Sequence, residues 1–241
     1  MAASVAQDPL IVDRLGVRLG DFQLDNISLH VEPAKVTALL GHNGAGKTTL
    51  CRLIMGIVRK DSGTVSLGGF DHWRHEKEFK QRVGFLQEES YFYNGMTVGE
   101  FVAFVSRFYR HWNRELSQHL LRSFNLPGDK KLGELSRGSC VKVNLVVTLA
   151  HEPRVLLLDE PTSGLDPRAC HESLRLLQTI AHEEGRAVLF STHHLHEVEQ
   201  IADRVILLDR GRVRADESLP SLRRVAGPSW SLEQYYLERV P

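Results

Sequence analysis

The chain has 241 residues, of which 42% are hydrophobic and 25% are charged, so it can bury a substantial core. Its 30 basic and 30 acidic residues balance, and no nucleic acid is expected as a partner. The three cysteines lie far apart without a C-x-x-C pair, which indicates reduced thiols and no disulfide or zinc framework. Residues 1–9 lack a signal-peptide pattern, and no run approaches the ~18 apolar residues of a membrane span. If the protein works at a membrane, we expect another chain to cross it.

The N-terminal part of the chain alternates short apolar runs with turn residues. Between residues 10 and 31 these runs predict antiparallel strands. Val36–Leu40 predicts a strand, and residues 48–57 predict a helix because their apolar positions fall at helical spacing. Further elements expected before residue 88 are strands at 61–69 and 83–86 and a charge-rich helix or loop at 74–82.

The pattern becomes helical from residue 97. Thr97 and Glu100 have the spacing of a capping box, and a second helix is expected at about 114–125. We interpret residues 88–150 as a helical insert within an α/β core. Apolar strands resume after it at 155–158, 187–190 and 205–208, separated by charged helical stretches near 168–184 and 194–202. Strands alternating with helices in this way indicate a parallel sheet covered on both faces.

The loop between the strand Val36–Leu40 and the first helix matches the pattern G-x-x-x-x-G-K-[ST]. Its residues are Gly41, His42, Asn43, Gly44, Ala45, Gly46, Lys47 and Thr48. Strand, glycine-rich loop and helix form the context of a phosphate-binding loop, in which backbone N–H groups and the helix N-terminus face the anion. Lys47 is expected to reach the β- and γ-phosphates and Thr48 to bind Mg²⁺, and Thr49 is included in the site. The sequence therefore predicts a nucleoside triphosphate site.

Two acidic residues follow the apolar strand at 155–158. Asp159 stands at the strand end, where a carboxylate suits a Mg²⁺ partner for Thr48. Glu160 comes one residue later, in a place to polarise an attacking water. Taken alone, the pair also fits an ordinary strand end with two solvent-facing acids.

Three further motifs surround this pair in a fixed order. They are Leu135–Ser139 upstream, Pro161–Pro167 directly after, and Ser191–His193 after the next strand. Together with the phosphate loop they resemble the ATP-binding-cassette (ABC) family over about residues 9–215. The resemblance implies an α/β P-loop NTPase fold, with a RecA-like core and parallel sheet, an N-terminal antiparallel β subdomain and an inserted α-helical subdomain. The domain would span residues 1–225, with the insert at about 88–150, and residues 226–241 would form a short helical tail.

The same resemblance implies roles for individual residues. Asp159 becomes the Mg²⁺-associated acid, Glu160 the general base, and His193 the switch that contacts the γ-phosphate of ATP. Ser136 and Gly138 would bind the γ-phosphate held by a second subunit, although Leu135–Ser139 also fits a plain turn and helix cap. For His193 the alternative is a histidine at a strand end. A metal site built with the histidines that follow it is disfavoured, because no fourth ligand is suitably spaced.

Three positions depart from the family pattern. The signature reads LSRGS, with Arg137 in place of Gly and Ser139 in place of Gln. The glutamine loop aligns best with Glu88 at the key position, yet Gln87 also fits the path of Mg²⁺ and water. The aromatic residue that stacks on adenine is expected near position 19, which is leucine, and Phe22 is the nearest aromatic.

The resemblance extends to ATPase subunits of bacterial exporters, on the segments Phe108–Asn113, Leu135–Gly138 and Pro161–Pro167. It implies an ATP- and Mg²⁺-dependent ATPase that pairs with a second ATPase subunit on the cytoplasmic face of a separate transmembrane subunit. The competing class is a soluble ABC ATPase without a membrane partner. A regulatory binder that does not hydrolyse ATP is disfavoured by Glu160 and His193 together.

The resemblance also implies a groove for a helix of the membrane subunit between the glutamine loop and the helical insert. Residues predicted to border it are Glu88, Tyr91, Phe92, Tyr93, Phe101, Phe104 and Phe108. Aromatic side chains favour interfaces because they bury much area with few rotatable bonds. Ordinary core packing is the competing interpretation for Phe101 and Phe108.

Overall fold

The computed structural model describes residues 9–88, 93–226 and 230–240. The strands are β1 (Leu10–Leu19), β2 (Phe22–Val31), β3 (Val36–Leu40), β4 (Ser62–Leu67), β5 (Phe70–Asp71), β6 (Val83–Leu86), β7 (Val155–Asp159), β8 (Ala187–Thr192), β9 (Arg204–Asp209) and β10 (Arg212–Ser218). The helices are α1 (Lys47–Ile54), α2 (Glu76–Lys80), α3 (Val98–Ser106), α4 (Arg114–Ser123), α5 (Arg137–Leu149), α6 (Pro167–His182), α7 (Leu195–Ile201), α8 (Leu219–Ala226) and α9 (Leu232–Arg239).

The strands form two sheets. A four-stranded antiparallel sheet has the order β2-β1-β4-β5, and a six-stranded sheet has the order β10-β9-β3-β8-β7-β6. In the larger sheet all pairings are parallel except that of β9 with β10. The predicted α/β class, antiparallel subdomain and parallel core are confirmed, and β10 adds an antiparallel edge strand that the alternating charged sequence Arg212–Ser218 had concealed.

The six-stranded sheet separates two hydrophobic cores. Side chains of a strand alternate between its faces, so Leu39 packs into the core shared with the four-stranded sheet, α1 and α2, while Leu40 faces the core formed with helices α3 to α9. Every residue of β3, β7 and β8 is buried. These three central strands therefore hold the segments that follow their carboxyl ends in fixed positions.

The helical insert is made of α3, α4 and α5. The predicted capping box is confirmed: Thr97 Oγ1 accepts a hydrogen bond from the N–H of Glu100 at 3.2 Å, and the Glu100 carboxylate accepts one from the N–H of Thr97 at 2.8 Å. Asn113 caps α4 in a similar way, and Ser136 caps α5. The insert thus begins each helix on a side chain that satisfies its free N–H groups.

Two stretches differ in extent from the sequence prediction. The short strands expected between residues 10 and 31 are two ten-residue strands, and the pairing of β1 with β2 shifts register between Val12 and Val17, inside β1. At the other end, α8 runs across the boundary predicted at residues 225 and 226, and α9 lies in the predicted tail. Among the described residues, no helix combines the length and apolarity that crossing a membrane requires.

Candidate active site

The phosphate loop lines one side of an open cleft of about 380 Å³. It leaves the end of β3 and enters α1 at Lys47, with Gly46 in the left-handed region at φ 109°. A Cβ atom on Gly46 would lie 2.7 Å from Cζ of Phe22, so the loop requires glycine here for both conformation and space. The residues that line the cleft are Phe22, His42, Asn43, Gly44, Gly46, Lys47, Thr48, Thr49, Glu88 and Glu160.

Lys47 is buried at the floor of this cleft. Its ammonium group donates hydrogen bonds to the carbonyl oxygens of Gly41 at 2.8 Å and His42 at 3.3 Å. The same nitrogen lies 3.3 Å from the Glu160 carboxylate, whose side chain is also buried. The cation is thus fixed by the backbone of the loop it belongs to, and its charge faces the cleft.

Asp159 lies at the end of β7, next to the end of β8. One of its carboxylate oxygens accepts a hydrogen bond from Ser191 Oγ at 2.6 Å, and Ser191 Oγ accepts one from the N–H of Glu160 at 3.0 Å. The other oxygen, Oδ2, is buried and has no hydrogen-bond partner among the described residues. An unsatisfied buried carboxylate oxygen is the kind of ligand that a hard divalent cation takes.

Glu160 contacts both the phosphate loop and the residue after β8. Its backbone is left-handed, with φ 49°, a strained conformation for a residue other than glycine. Both of its carboxylate oxygens lie 3.1 Å from Nδ1 of His193. Lys47, Glu160 and His193, which the sequence predicted on three separate segments, therefore form one continuous set of contacts.

Glu88 joins the cleft to two further loops. Its carboxylate accepts a hydrogen bond from Ser163 Oγ at 3.3 Å and lies 3.6 Å from the Arg137 guanidinium, which itself donates to Ser163 Oγ at 2.9 Å. Gln87 is not among the residues that line the cleft. The geometry therefore favours Glu88 over Gln87 as the glutamine-loop residue that faces the cleft.

The signature residues lie outside this cleft. Ser136 caps α5, accepting a hydrogen bond from the N–H of Ser139 at 3.2 Å, and Gly138 lies against Leu165. Ser136 is therefore engaged as a helix cap within its own subunit, as the alternative interpretation expected, while the N-terminus of α5 remains exposed beside it.

Phe22 and Leu19 differ in their relation to the cleft. Phe22 lines it and packs over Gly46, whereas Leu19 is 44% exposed and contributes nothing to the lining. The aromatic ring available at the mouth of the phosphate loop is thus that of Phe22.

Two buried carboxylates near the cleft were missed by the sequence analysis. Asp209, at the end of β9, lies 3.1 Å from Nε2 of His42 and pairs with Arg214 at 3.0 Å. Glu197, on α7, accepts hydrogen bonds from Thr162 and Thr192. Neither belongs to a motif, and Glu197 stands in a charge-rich stretch that reads as an exposed helix.

Comparisons with known proteins identify the family. A family model described as ABC transporter matches residues 24–163. The Nod factor export ATP-binding protein I of Burkholderia pseudomallei is 35% identical over 198 residues, which are 80% of this chain and 65% of that protein. The sulfate/thiosulfate import ATP-binding protein CysA of Bordetella parapertussis is 39% identical over 211 residues, 83% of this chain and 59% of that protein.

A solved structure described as the ATP binding subunit of an ABC transporter is similar over 95% of this chain and 98% of its own, with a TM-score of 0.86 and 28% identity. The chain spans less than two thirds of the two curated relatives, while this subunit matches it nearly from end to end. The family match covers more than half of the chain and includes the phosphate loop, Asp159 and Glu160. The chain is a member of the ABC transporter family, with the fold of that family's ATP-binding subunits.

Proposed function

We propose that this chain binds and hydrolyses ATP and works in pairs to drive a separate membrane subunit of a transporter. The observation that carries the proposal is the contact of Glu160 with both Lys47 and His193 at the floor of the phosphate-loop cleft. A cation, a carboxylate and a histidine from three segments meet where the terminal phosphate of a nucleotide would lie. The Glu160 carboxylate and the Lys47 ammonium group form an ion pair at this point.

Glu160 is the general base in this proposal. Its buried carboxylate would take a proton from the attacking water once Lys47 turns to the phosphates, and His193 holds the carboxylate from the other side. The backbone N–H groups of the loop and the N-terminus of α1 provide an electropositive cradle for the phosphate oxygens.

The residues around Asp159 fit a magnesium ion. Among the described residues, Oδ2 of Asp159 is buried without a hydrogen-bond partner, and Asp159 directly precedes the cleft residue Glu160. Asp159 would hold the ion together with Thr48 and Glu88, which line the cleft. When bound, Mg²⁺ neutralises charge on the β- and γ-phosphates. Ser191 would fix the orientation of the Asp159 carboxylate through its 2.6 Å hydrogen bond.

The nucleotide base would lie against Phe22. This ring closes the cleft above the phosphate loop, and stacking on an aromatic ring is worth about 1–3 kcal/mol per base on comparable platforms. Because every base has a ring face that can stack on an aromatic side chain, stacking alone discriminates poorly between bases, and GTP should compete with ATP within about tenfold in affinity.

A second subunit would supply the signature side of each site. Ser136 and Gly138 sit at the exposed N-terminus of α5, where a phosphate of the partner's nucleotide can bind, and Ser163–Asp166 would run along the interface. This arrangement explains why the phosphate-loop cleft alone lacks them.

The membrane subunit would dock on the aromatic surface of the insert. Tyr93 and Phe108 are 67% and 64% exposed, and Phe104 lies between them. Tyr91 and Phe92, also predicted for this groove, lie outside the described residues. Docking there would hold the chain at the inner face of the membrane. We propose export as the direction of transport because the sequence resembles exporter ATPases and one relative is a Nod factor export protein.

The experiment that tests the proposal is the variant Glu160→Gln. It should bind ATP normally, lose about 10²–10⁴-fold in hydrolysis rate, and accumulate as an ATP-bound dimer. Glu172→Gln, on the exposed face of α6, is the matched control and should hydrolyse ATP like the unmodified chain. Normal hydrolysis by Glu160→Gln would remove Glu160 from the chemistry. Co-purification with a multi-span membrane protein would support transport, whereas association with ribosomes or DNA would contradict it.

A further inference from the structure

Glu197 lies between the two segments that carry Glu160 and His193. Its carboxylate, on α7, is 2% exposed. Thr162 Oγ1 donates a hydrogen bond to one carboxylate oxygen at 2.7 Å, and Thr192 Oγ1 donates one to the other at 2.6 Å. Thr162 follows Glu160 by two residues, and Thr192 directly precedes His193. One carboxylate therefore fastens both chain segments at the catalytic end of the sheet.

A third donor completes the surroundings of this carboxylate. Cys170 Sγ, on α6, lies 3.8 Å from the oxygen that Thr162 also contacts. Burial, and after it the nearby Glu197 charge, raises the pKa of Cys170 to about 11, so the thiol keeps the proton it donates. Within residues 9–88, 93–226 and 230–240, no basic side chain forms an ion pair with Glu197. Among these residues its hydrogen-bond donors are two hydroxyls and a thiol, and its position in the first turn of α7 adds the positive end of the helix dipole.

Burying the Glu197 carboxylate costs free energy, and filling the core at this position does not require a charged side chain. A buried carboxylate without a cation is unfavourable unless hydrogen bonds replace the lost water, and an apolar side chain of similar size would fill the space without that cost. The carboxylate fixes positions that an apolar side chain could not, because each of its two oxygens accepts a hydrogen bond from one threonine hydroxyl, of Thr162 or of Thr192. Thr192 is fixed from a second side, since its Oγ1 also accepts a hydrogen bond from the N–H of His194 at 3.0 Å.

We propose that Glu197 is a positioning residue that sets the contact between Glu160 and His193 by fastening Thr162 and Thr192. The inference rests on the proposed function, in which Glu160 acts on the attacking water. Glu160 has a left-handed backbone at φ 49°, a conformation that persists only when the surrounding structure enforces it. Its N–H is held by Ser191 on one side, and the hydrogen bond from Thr162 to Glu197 holds the segment that follows.

The consequence for catalysis is a loss of alignment and not of binding. Glu197 is not among the residues that line the cleft, and the hydrogen bonds of its carboxylate are with Thr162, Thr192 and Cys170. Nucleotide affinity should therefore depend little on Glu197. A displacement of about 1 Å at a catalytic group costs on the order of 10²-fold in rate. The effect of removing the carboxylate should therefore appear in kcat and leave KM nearly unchanged.

The test compares Glu197→Ala and Glu197→Gln with the unmodified chain. We expect Glu197→Ala to lower kcat about 10²-fold, with KM and the Kd of a non-hydrolysable ATP analogue unchanged within a small factor. Glu197→Gln retains one acceptor oxygen for a threonine hydroxyl and should recover part of kcat. Cys170→Ala removes only the most distant donor and should leave kcat unchanged.

A purely structural role is separated by a stability-matched control. Leu174→Ala opens a cavity in the core on α6, away from the cleft, and should lower Tm as much as Glu197→Ala or more while sparing kcat per folded molecule. The proposal is overturned if Glu197→Ala lowers Tm but leaves kcat per bound nucleotide intact, or if analogue binding falls as much as kcat. Hydrolysis unaffected by Glu160→Gln would instead contradict the proposed function, whatever Glu197→Ala does.

Discussion

The phosphate-loop end of the six-stranded sheet and the outer surface of the helical insert differ in which side chains they bury and which they expose. At the sheet, Lys47 and Glu160 are charged yet buried, each with a partner within 3.3 Å. On the insert, Tyr93 and Phe108 are apolar yet exposed, and they flank Phe104 in edge-to-face pairs with ring centroids 6.4 and 5.2 Å apart. Each region departs from the ordinary distribution of residues, in which charges are solvated and large apolar groups are buried.

These departures indicate different kinds of function. Buried charges that satisfy one another form a site for a charged ligand, whose arrival can replace the internal contacts. Tyr93 and Phe108 contact Phe104, yet the rest of the described chain leaves both rings mostly uncovered. A contiguous group of exposed aromatic residues is typical of a surface that binds another protein. Under the proposed function, the difference means that chemistry and docking lie on separate parts of this fold, so variants in one region should spare the other.

The largest effect is expected where the helical insert meets the six-stranded sheet, at His151, which follows α5 and contacts the first residue of β6. Its ring stacks on Tyr109 with centroids 3.9 Å apart and contacts the carbonyl oxygens of Val147, at 3.4 Å, and of Val83 on β6, at 3.3 Å. The pKa of His151 is lowered from 6.5 to about 4, chiefly by burial; the hydrogen bonds with the carbonyl oxygens of Val147 and Val83 raise the pKa, and the charges of Arg186 and His111 lower it, by smaller amounts. The unfolded chain therefore binds this proton at higher pH than the folded one.

Stability should accordingly fall as pH decreases from 6.5 to 4, by about 3 kcal/mol in the free energy of unfolding. The variant His151→Phe keeps a ring for Tyr109 and should lose this part of the pH dependence, as measured by denaturant unfolding at several pH values. His119→Gln, an exposed histidine on α4, is the control and should retain the full dependence. Equal slopes for His151→Phe and the unmodified chain would show that another group is responsible.

The features that could be predicted from the sequence are those formed by residues close together in the chain. The phosphate loop follows from residue types within eight positions, and the cap formed by Thr97 and Glu100 follows from a spacing of three. Both features depend on neighbours in the chain, so the pattern alone determines the contact. The resemblance to a family added the order of the remaining motifs and, with it, the expected architecture.

Contacts between distant segments could not be predicted in this way. Glu197 meets Thr162 across 35 positions, and His42 meets Asp209 across 167, with no periodicity that links them. β10 was missed because its alternating charged residues suit an edge strand and a loop equally well. The core interpretation of Phe108 was wrong, since helix α3 ends at Ser106 and leaves that ring exposed.

The next largest effect concerns the aromatic surface of the insert. Tyr93→Ala combined with Phe108→Ala should weaken binding to the membrane subunit, at about 1–2 kcal/mol for each lost anchor. Both side chains are mostly exposed, so Tm and ATP affinity should change little. The measurement is the recovery of the complex at a fixed subunit concentration, beside a thermal melt.

Phe101→Ala serves as the control for this pair, because Phe101 is partly buried and packs against the core. It should lower Tm without a specific loss of partner binding. Unchanged recovery with Tyr93→Ala and Phe108→Ala would remove these residues from the interface. A drop in Tm as large as that of Phe101→Ala would place them in the core.

The smallest effect is expected for Arg137, which connects helix α5 of the insert to the cleft residue Glu88. It is the first residue of α5, and its guanidinium contacts Ser163 and the cleft residue Glu88. The Arg137 side chain is 63% exposed, and exposed ion pairs contribute about 0.2–1 kcal/mol. Arg137→Ala should therefore change the ATPase rate by no more than about fivefold, with a smaller effect at high salt because ions screen the pair.

The result decides whether Arg137 only holds Glu88 and Ser163 in place or takes part in ATP hydrolysis. Arg168→Ala removes a more exposed arginine, whose side chain is 89% exposed and pairs with Glu172 on α6, and it should leave the rate unchanged at every salt concentration. A loss of about 10²-fold or more with Arg137→Ala, unaffected by salt, would mean that the arginine contacts the nucleotide of a second subunit directly. A small loss that disappears in salt would mean that it only holds Glu88 and Ser163 together. The second result is expected, because the three groups already satisfy one another within a single subunit.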